Sequence, residues 1–253
     1  MSLVKVTYPS VNRADLEIQR PEALNALNQE VLEELQKALL DLKPVKVLVI
    51  TGSGEKAFVA GADIKAMKEM TASEARAFSA LGQGVFRLIQ DSPFIAIAGV
   101  NGFALGGGLE LALSCDLIYA TPGSKFALPE INLGLVPGFG GTYQLYGRVG
   151  FHYAMEMMTS GKMISAEEAH RRGLILDLLS SENWRAELGE KADFIASKGK
   201  ESLAAVKSLL RANANEDRDR ALERERESFG KLFDSSEPQE GISAFLEKRK
   251  PQF

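Results

Sequence analysis

Phe94-Ile95-Ala96-Ile97-Ala98-Gly99-Val100-Asn101-Gly102-Phe103-Ala104-Leu105-Gly106-Gly107-Gly108-Leu109-Glu110 is the stretch that decides the fold. Its first seven residues form a continuous apolar run, the pattern of a strand buried on both faces. Three glycines then lead into Leu109–Ser114, the start of a helix with Glu110 in its first turn. Leu117–Ala120 follows as another short strand. Strand, helix and strand at these intervals require parallel pairing through crossover connections, which makes the chain α/β. Upstream, Val45–Thr51 is a β-branched run after Pro44, stopped by Gly52-Ser53-Gly54. Asp15-Leu16-Glu17-Ile18 alternates as a half-buried strand, and Arg20-Pro21 ends it. Leu27, Val31, Leu32, Leu35 and Leu39 predict a helix over 28–42, capped near Asn25 or Asn28. Ser73–Gln90 reads as a second amphipathic helix. Beyond Gly150 the pattern is mostly helical. Ser165-Ala166-Glu167-Glu168 forms a capping box opening a helix that ends at Gly173. Further helices are expected over about 185–198, 201–213, 216–233 and 238–249. The chain thus divides near residue 195 into an α/β core, 1–195, and a helical region, 196–253.

The chain has 253 residues, 45% of them apolar and 25% charged, the composition of a globular protein with one sizeable core. Thirty basic residues against 34 acidic ones leave a net charge of −4, which argues against sequence-independent nucleic-acid binding. One cysteine, Cys115, excludes an internal disulfide and Cys-rich zinc sites. With only His152 and His170, a multi-histidine metal centre is not expected. No Gly-x-Ser-x-Gly elbow is present for a serine hydrolase. Gly52-Ser53-Gly54-Glu55-Lys56 lacks the Gly-Lys-Ser/Thr of a phosphate-binding loop. No apolar run is long enough to cross a membrane, and Met1–Ser10 has no signal-peptide character. The expected setting is the cytoplasm, or an organelle matrix after removal of a presequence.

Three loops carry candidate chemistry. Ala57-Phe58-Val59-Ala60-Gly61-Ala62-Asp63-Ile64-Lys65 has small residues that let a ligand approach the backbone. Asn101–Glu110 places exposed N–H groups at the positive end of a helix, suited to an anion or a developing oxyanion. Phe126-Ala127-Leu128-Pro129-Glu130 presents a carboxylate on a rigid turn. After it come Leu133-Gly134 and Pro137-Gly138-Phe139-Gly140-Gly141, read as a mobile glycine stretch. Each feature also has a plain reading as tight packing, dipole compensation or turn chemistry. Cys115 reads as a small core residue, and His152 and His170 as structural. The residues alone therefore reach two carboxylates and two backbone-donor loops, but no substrate.

In order and spacing, these loops resemble the crotonase superfamily, most closely its enoyl-CoA hydratases. The resemblance extends through Arg20-Pro21-Glu22-Ala23-Leu24-Asn25-Ala26-Leu27 and Glu240-Gly241-Ile242-Ser243-Ala244-Phe245-Leu246-Glu247-Lys248-Arg249, and so covers nearly the whole chain. It implies a spiral of ββα units with a C-terminal helical oligomerisation region. It implies an oxyanion hole from the N–H groups of Ala62 and Gly107, with Glu110 and Glu130 as catalytic carboxylates. Glu110 would chiefly hold and deprotonate the water; Glu130 would also hold it and protonate the α-carbon. The reaction implied is reversible hydration of 2-trans-enoyl-CoA to 3-hydroxyacyl-CoA, in fatty-acid or related acyl-CoA degradation. By the same resemblance Lys56 and Lys65 lie near the phosphates of coenzyme A and the Ala60 backbone near its adenine. Asp63 and Ile64 belong to the same acyl-CoA-binding loop, and Phe245 and Lys248 complete a neighbouring subunit's site. Coenzyme A is part of the substrate, and no separate cofactor or metal is implied. The expected assembly is a trimer or a pair of trimers.

Chemistry favours the two carboxylates in this arrangement. Adding water to a 2-enoyl thioester builds charge on the thioester oxygen, which fixed N–H groups and a helix dipole stabilise. Two nearby carboxylates in different environments can hold different protonation states. A 3,2-enoyl-CoA isomerase on this fold needs only the carboxylate at Glu130, so Glu110 favours a hydratase. A non-catalytic or RNA-binding relative needs a basic comb, whereas helix 28–42 carries Lys37 against Glu30, Glu33, Glu34 and Asp41. Ala127-Leu128, Tyr143-Gln144 and Leu109 depart from common hydratase residues, and all flank the acyl side.

Overall fold

The computed structural model describes residues 2–213 and 217–253. The chain opens with a hairpin, β1 (Val4–Ser10) and β2 (Arg13–Ile18), followed by helix α1 (Gln29–Leu40). Asn28 caps α1, its side chain accepting from the Val31 N–H. Then come β3 (Val47–Gly52), β4 (Ala57–Val59), α2 (Ile64–Met67) and α3 (Ala72–Gln90), the last opened by a Thr71/Glu74 capping box. β5 (Ile95–Val100), β6 (Phe103–Leu105) and α4 (Gly107–Ser114) follow. After β7 (Leu117–Ala120) and β8 (Lys125–Ala127), a 3₁₀ turn over Glu130–Leu133 leads to α5 (Gly141–Ser160). Helix α5 is broken at Gly150, whose φ of 75° is left-handed. The remainder is β9 (Ile164–Ser165), α6 (Ala166–Arg171), β10 (Asp177–Leu178), α7 (Trp184–Ala196), α8 (Lys200–Asn213), α9 (Arg218–Leu232) and α10 (Glu237–Leu246).

After the hairpin and α1, the chain runs strand, strand, helix three times. The first strand of each unit joins one sheet and the second joins another. β3, β5 and β7 sit in a six-stranded sheet of order β1-β2-β3-β5-β7-β10. Their successors β4, β6 and β8 sit in a four-stranded sheet of order β4-β6-β8-β9. Within each sheet these strands pair in parallel, as a crossover connection requires. The result is a spiral of ββα units. The main core, including Leu16, Ile50, Phe58, Phe86 and Phe126, fills the space between the sheets and α1, α3 and α4. The outer face of the large sheet (Val47, Val49, Ile97, Tyr119) is covered by Leu188, Ala192 and Ala196 of α7.

Most long elements fall where periodicity placed them; the exception is α5, whose first half precedes Gly150 and begins in the stretch read as a mobile glycine loop. The structure adds β1 and the short strands β4, β6, β8, β9 and β10, so the region beyond Gly150 is not wholly helical. α7 ends at Ala196. The helices after it are tied to the core. Lys207 on α8 is buried, and its Nζ lies 2.9 Å from Asp116 and donates to the carbonyls of Ile89 and Phe94. Residue 216, the expected start of the next helix, lies outside the described residues. Among the described residues, no helix is long and apolar enough to cross a membrane.

Candidate active site

The three candidate loops leave the C-terminal ends of three neighbouring parallel strands. β4 pairs with β6 (Val59 with Ala104), and β6 with β8 (Leu105 with Ala127). Residues 60–63, Gly106–Gly107 and Leu128–Glu130 therefore emerge side by side, in the crevice where α/β sheets commonly hold ligands. The first loop is set by the segment before α1. Leu27 donates to Gly61 O (2.8 Å) and accepts from the Asp63 N–H (2.7 Å). A parallel bridge of this register turns the N–H of Ala62 away from Leu27. Asn25, fully buried with φ 58°, fastens this segment. Its Oδ1 accepts from the Arg20 N–H, and its Nδ2 donates to the carbonyls of Ser53 and Ala57. Asparagine tolerates the left-handed region better than most residues.

The glycines of the second loop have separate tasks. Gly106 has φ 49°, and a Cβ there would stand 2.7 Å from Glu130 Oε1 and 3.7 Å from Gly61 Cα. It is the point where the three loops meet. Its N–H donates to Ala127 O at 2.9 Å. Gly107 opens α4, so its N–H has no acceptor within the helix. Gly108 lets α4 lie on β4: a Cβ there would fall 1.9 Å from Val59 O.

Glu110, one turn into α4, is 1% exposed. Its Oε1 accepts two backbone N–H groups, from Phe139 at 2.8 Å and Gly141 at 2.7 Å. Burial nevertheless dominates, and with the Glu130 charge it pushes the carboxyl up to about 7. Glu130 begins the 3₁₀ turn after β8, and burial raises its pKa too. Its Oε2 is buried and has no hydrogen-bond partner among the described residues. The 137–141 stretch is not a free glycine loop. Phe139 is 4% exposed, and the Gly138 carbonyl accepts from Ser79 Oγ and Gln83 Nε2. A chain of glycines read as mobile is held by an aromatic ring and two side chains of α3. Sequence reasoning missed Phe139 and Gly141 as the groups that hold Glu110. The one signal was an aromatic residue set within Pro137–Gly141.

The remaining candidates are arranged differently. Lys56 and Lys65 are exposed. The Ala60 N–H is taken by Leu24 O at 3.0 Å, which leaves its carbonyl. Asp63 caps α2 and pairs with Arg20 at 2.8 Å, which holds its carboxyl below the usual range. That carboxylate is engaged within the fold. Ile64 is exposed at the first position of α2. Phe245 is 82% exposed near the end of α10, and Lys248, just beyond, has φ 54°. His152 and His170 are exposed. Cys115 is fully buried at the end of α4, and burial pushes its thiol up to about 12, well away from a reactive thiolate.

Residues 11–253 match the family model described as enoyl-CoA hydratase/isomerase. The chain belongs to this family. Among curated relatives of this enoyl-CoA hydratase/isomerase family member is the crotonyl-CoA hydratase of Syntrophomonas wolfei. It is 45% identical over 243 residues, covering 95% of this chain and 94% of the relative. The short-chain-enoyl-CoA hydratase of Clostridium acetobutylicum is 40% identical over 92% of this chain and 90% of its own. Among solved structures, the enoyl-CoA hydratase of Bacillus anthracis superposes with a TM-score of 0.96 at 31% identity, covering 99% of this chain and 98% of that one. The spiral of ββα units is thus the crotonase fold.

Proposed function

We infer that this chain is an enoyl-CoA hydratase, a lyase that reversibly adds water across the double bond of 2-trans-enoyl-CoA thioesters. The observation that carries the reading is the pair of desolvated carboxylates at the meeting point of the three loops. One oxygen of Glu110 is anchored by two N–H groups, and Glu130 Oε1 lies against Gly106. In this reading the thioester oxygen sits between the N–H groups of Ala62 and Gly107. The positive end of α4 adds to their stabilisation of the enolate-like transition state. Glu110 orients and deprotonates the water. Glu130, whose raised pKa favours a proton, also holds the water and protonates the α-carbon. Lys56, Lys65 and the Ala60 carbonyl are the contacts for the phosphates and adenine of coenzyme A, with Ile64 beside them. Asp63 contributes by shaping that loop through Arg20. Carboxylates and backbone donors supply all the chemistry this reaction asks for, and coenzyme A enters as part of the substrate. Acyl-CoA degradation in the cytoplasm is the proposed setting, and the relatives named for crotonyl-CoA and short-chain enoyl-CoA point to a short acyl chain.

Assembly belongs to the same reading. Helix α9 has no buried residue, and Phe229, Phe233, Phe245 and Leu246 of α9, α10 and the turn between them are exposed. Apolar area of this kind marks a protein interface. A second copy of this chain is the proposed occupant, in a trimer or a pair of trimers, with Phe245 and Lys248 reaching the neighbouring site.

Kinetics of crotonyl-CoA hydration test the chemistry. Glu110→Gln and Glu130→Gln should each lower turnover about 10²–10⁴-fold, the usual worth of a general acid–base group, with KM little changed. The double variant should lose less than the product, because both groups handle one water. In ¹⁸O water the label should appear in the 3-hydroxyl. A wild-type enzyme that moves a 3-enoyl double bond without taking up label, and that tolerates Glu110→Gln, would instead be an isomerase.

A further inference from the structure

Helix α3 is far from any reacting atom in sequence, yet it holds the loop that holds Glu110. The Phe139 ring lies in a notch on α3 at Gly82: a Cβ there would stand 2.3 Å from the ring. Phe78 and Phe86, one turn to either side on α3, meet the ring edge-to-face at centroid distances of 5.2 and 5.6 Å. All three rings are buried. Immediately before the ring, the Gly138 carbonyl accepts from Ser79 Oγ at 2.5 Å and Gln83 Nε2 at 3.0 Å. The Phe139 N–H, fixed between these grips, is one of the two donors to Glu110 Oε1, and the Gly141 N–H is the other. On its opposite side the same ring limits Gly107, where a Cβ would meet it at 3.0 Å.

We propose that Ser79, Gly82 and Gln83 of α3 are positioning residues for Glu110, acting through Phe139 and the two N–H groups of loop 137–141. This rests on the reading of Glu110 as the carboxylate that handles the water. The physical argument is one of register. Two N–H groups two residues apart can reach one carboxylate oxygen only if the loop is held in place. A loop with three glycines does not hold itself. Charge-assisted bonds of this kind favour the ionised carboxylate and so oppose its burial. The facing groups are few: Glu130 is the titratable one, the loop presents backbone, and the α3 residues gripping the loop are neutral. Slackening the grip should lengthen both bonds, move the carboxylate and shift its ionisation to higher pH.

The test is a pH series of crotonyl-CoA hydration by Gly82→Ala, with Gly84→Ala as control. Both changes raise helix propensity, but a Cβ at Gly84 meets nothing within 4 Å. Gly82→Ala should lower kcat roughly 10–10²-fold, the scale of a misplacement near 1 Å, with KM changed far less. The acid limb of its pH profile should move up by about half a unit or more, with turnover partly recovered at high pH. Gly84→Ala should keep the wild-type profile. If Gly82→Ala fails to fold, Ser79→Ala/Gln83→Ala cuts the carbonyl grip at the surface and should show the same upward limb, while Ser79→Thr, which keeps the hydroxyl, should restore it. Folded α3 variants with the wild-type limb and kcat overturn the proposal. Glu110→Gln separates this from failure of the parent reading. If it abolishes the limb while the α3 variants leave it in place, only the role of α3 is wrong. If it leaves both limb and rate intact, Glu110 is not the base.

Discussion

Glu110 is a carboxyl group kept from water at a place where the proposed reaction needs it charged. Its folded pKa lies above the ordinary value, about 7 against 4.5, so between these values the native state binds a proton that the unfolded chain has released. Stability is therefore lost as pH rises from about 4.5 through 7, by up to roughly 3 kcal/mol. Glutamine keeps an acceptor for the Phe139 and Gly141 N–H groups and carries no charge. Glu110→Gln is thus expected to raise the melting temperature at pH 8 and to leave it nearly unchanged at pH 4.5. A melting-temperature difference that does not widen with pH would contradict the desolvation argument. At this scale the sequence displayed the residue types but not the grips on them. Glu110, Glu130, Ala62 and Gly107 stand in recognisable loops. Asn25 looked like a second choice of helix cap. In the folded chain it joins Arg20 to the distant Ser53 and Ala57, and no periodicity carries such a junction. Phe139 was equally silent, because an aromatic among glycines gives no hint of which helix receives it.

Elements with a long unbroken period were legible, whereas the first half of α5, set off by Gly150, and the three-residue strands were not. α1, α3, β5 and β7 fall close to their expected limits, since each buries a stripe or a run long enough to show its period. β4, β6 and β8 have three residues each, too short for alternation to register. Yet these strands bring the site together, and the fit between β4 and α4 fixes the height of both Gly107 and Glu110. Gly108 is the point of closest approach. Gly108→Ala should force the helix off the strand at roughly 1–3 kcal/mol, the range for overpacking, or several degrees in melting temperature. Turnover should fall with it, because the proposed oxyanion glycine and the carboxylate ride on one helix. Wild-type kinetics and melting in this variant would mean that the contact yields without moving either group.

For the whole molecule, the change from mixed to helical pattern near residue 195 was legible, while the bonds that tie the later helices to the rest were not. Lys207 and Arg211 reach back from α8 to Asp116, and Arg148 of α5 bonds the carbonyls of Cys115 and Asp116. Single charged residues in amphipathic helices look like solvated faces until the chain is folded. Deleting 235–253 removes α10 and should weaken both assembly and thioester binding. Light scattering and calorimetry showing an unchanged oligomer with unchanged affinity would rule out the proposed docking of the tail. The anchoring at Asp116 has a mechanical side. α4 is a rod about 12 Å long at 1.5 Å per residue, with the donor glycine at its near end. Its far end is clasped by cations from two later helices. A rod clamped at one tip pivots, whereas one clamped at both keeps its heading. α5 and α8 thus serve as the distant bearing that keeps the proposed reaction centre aimed.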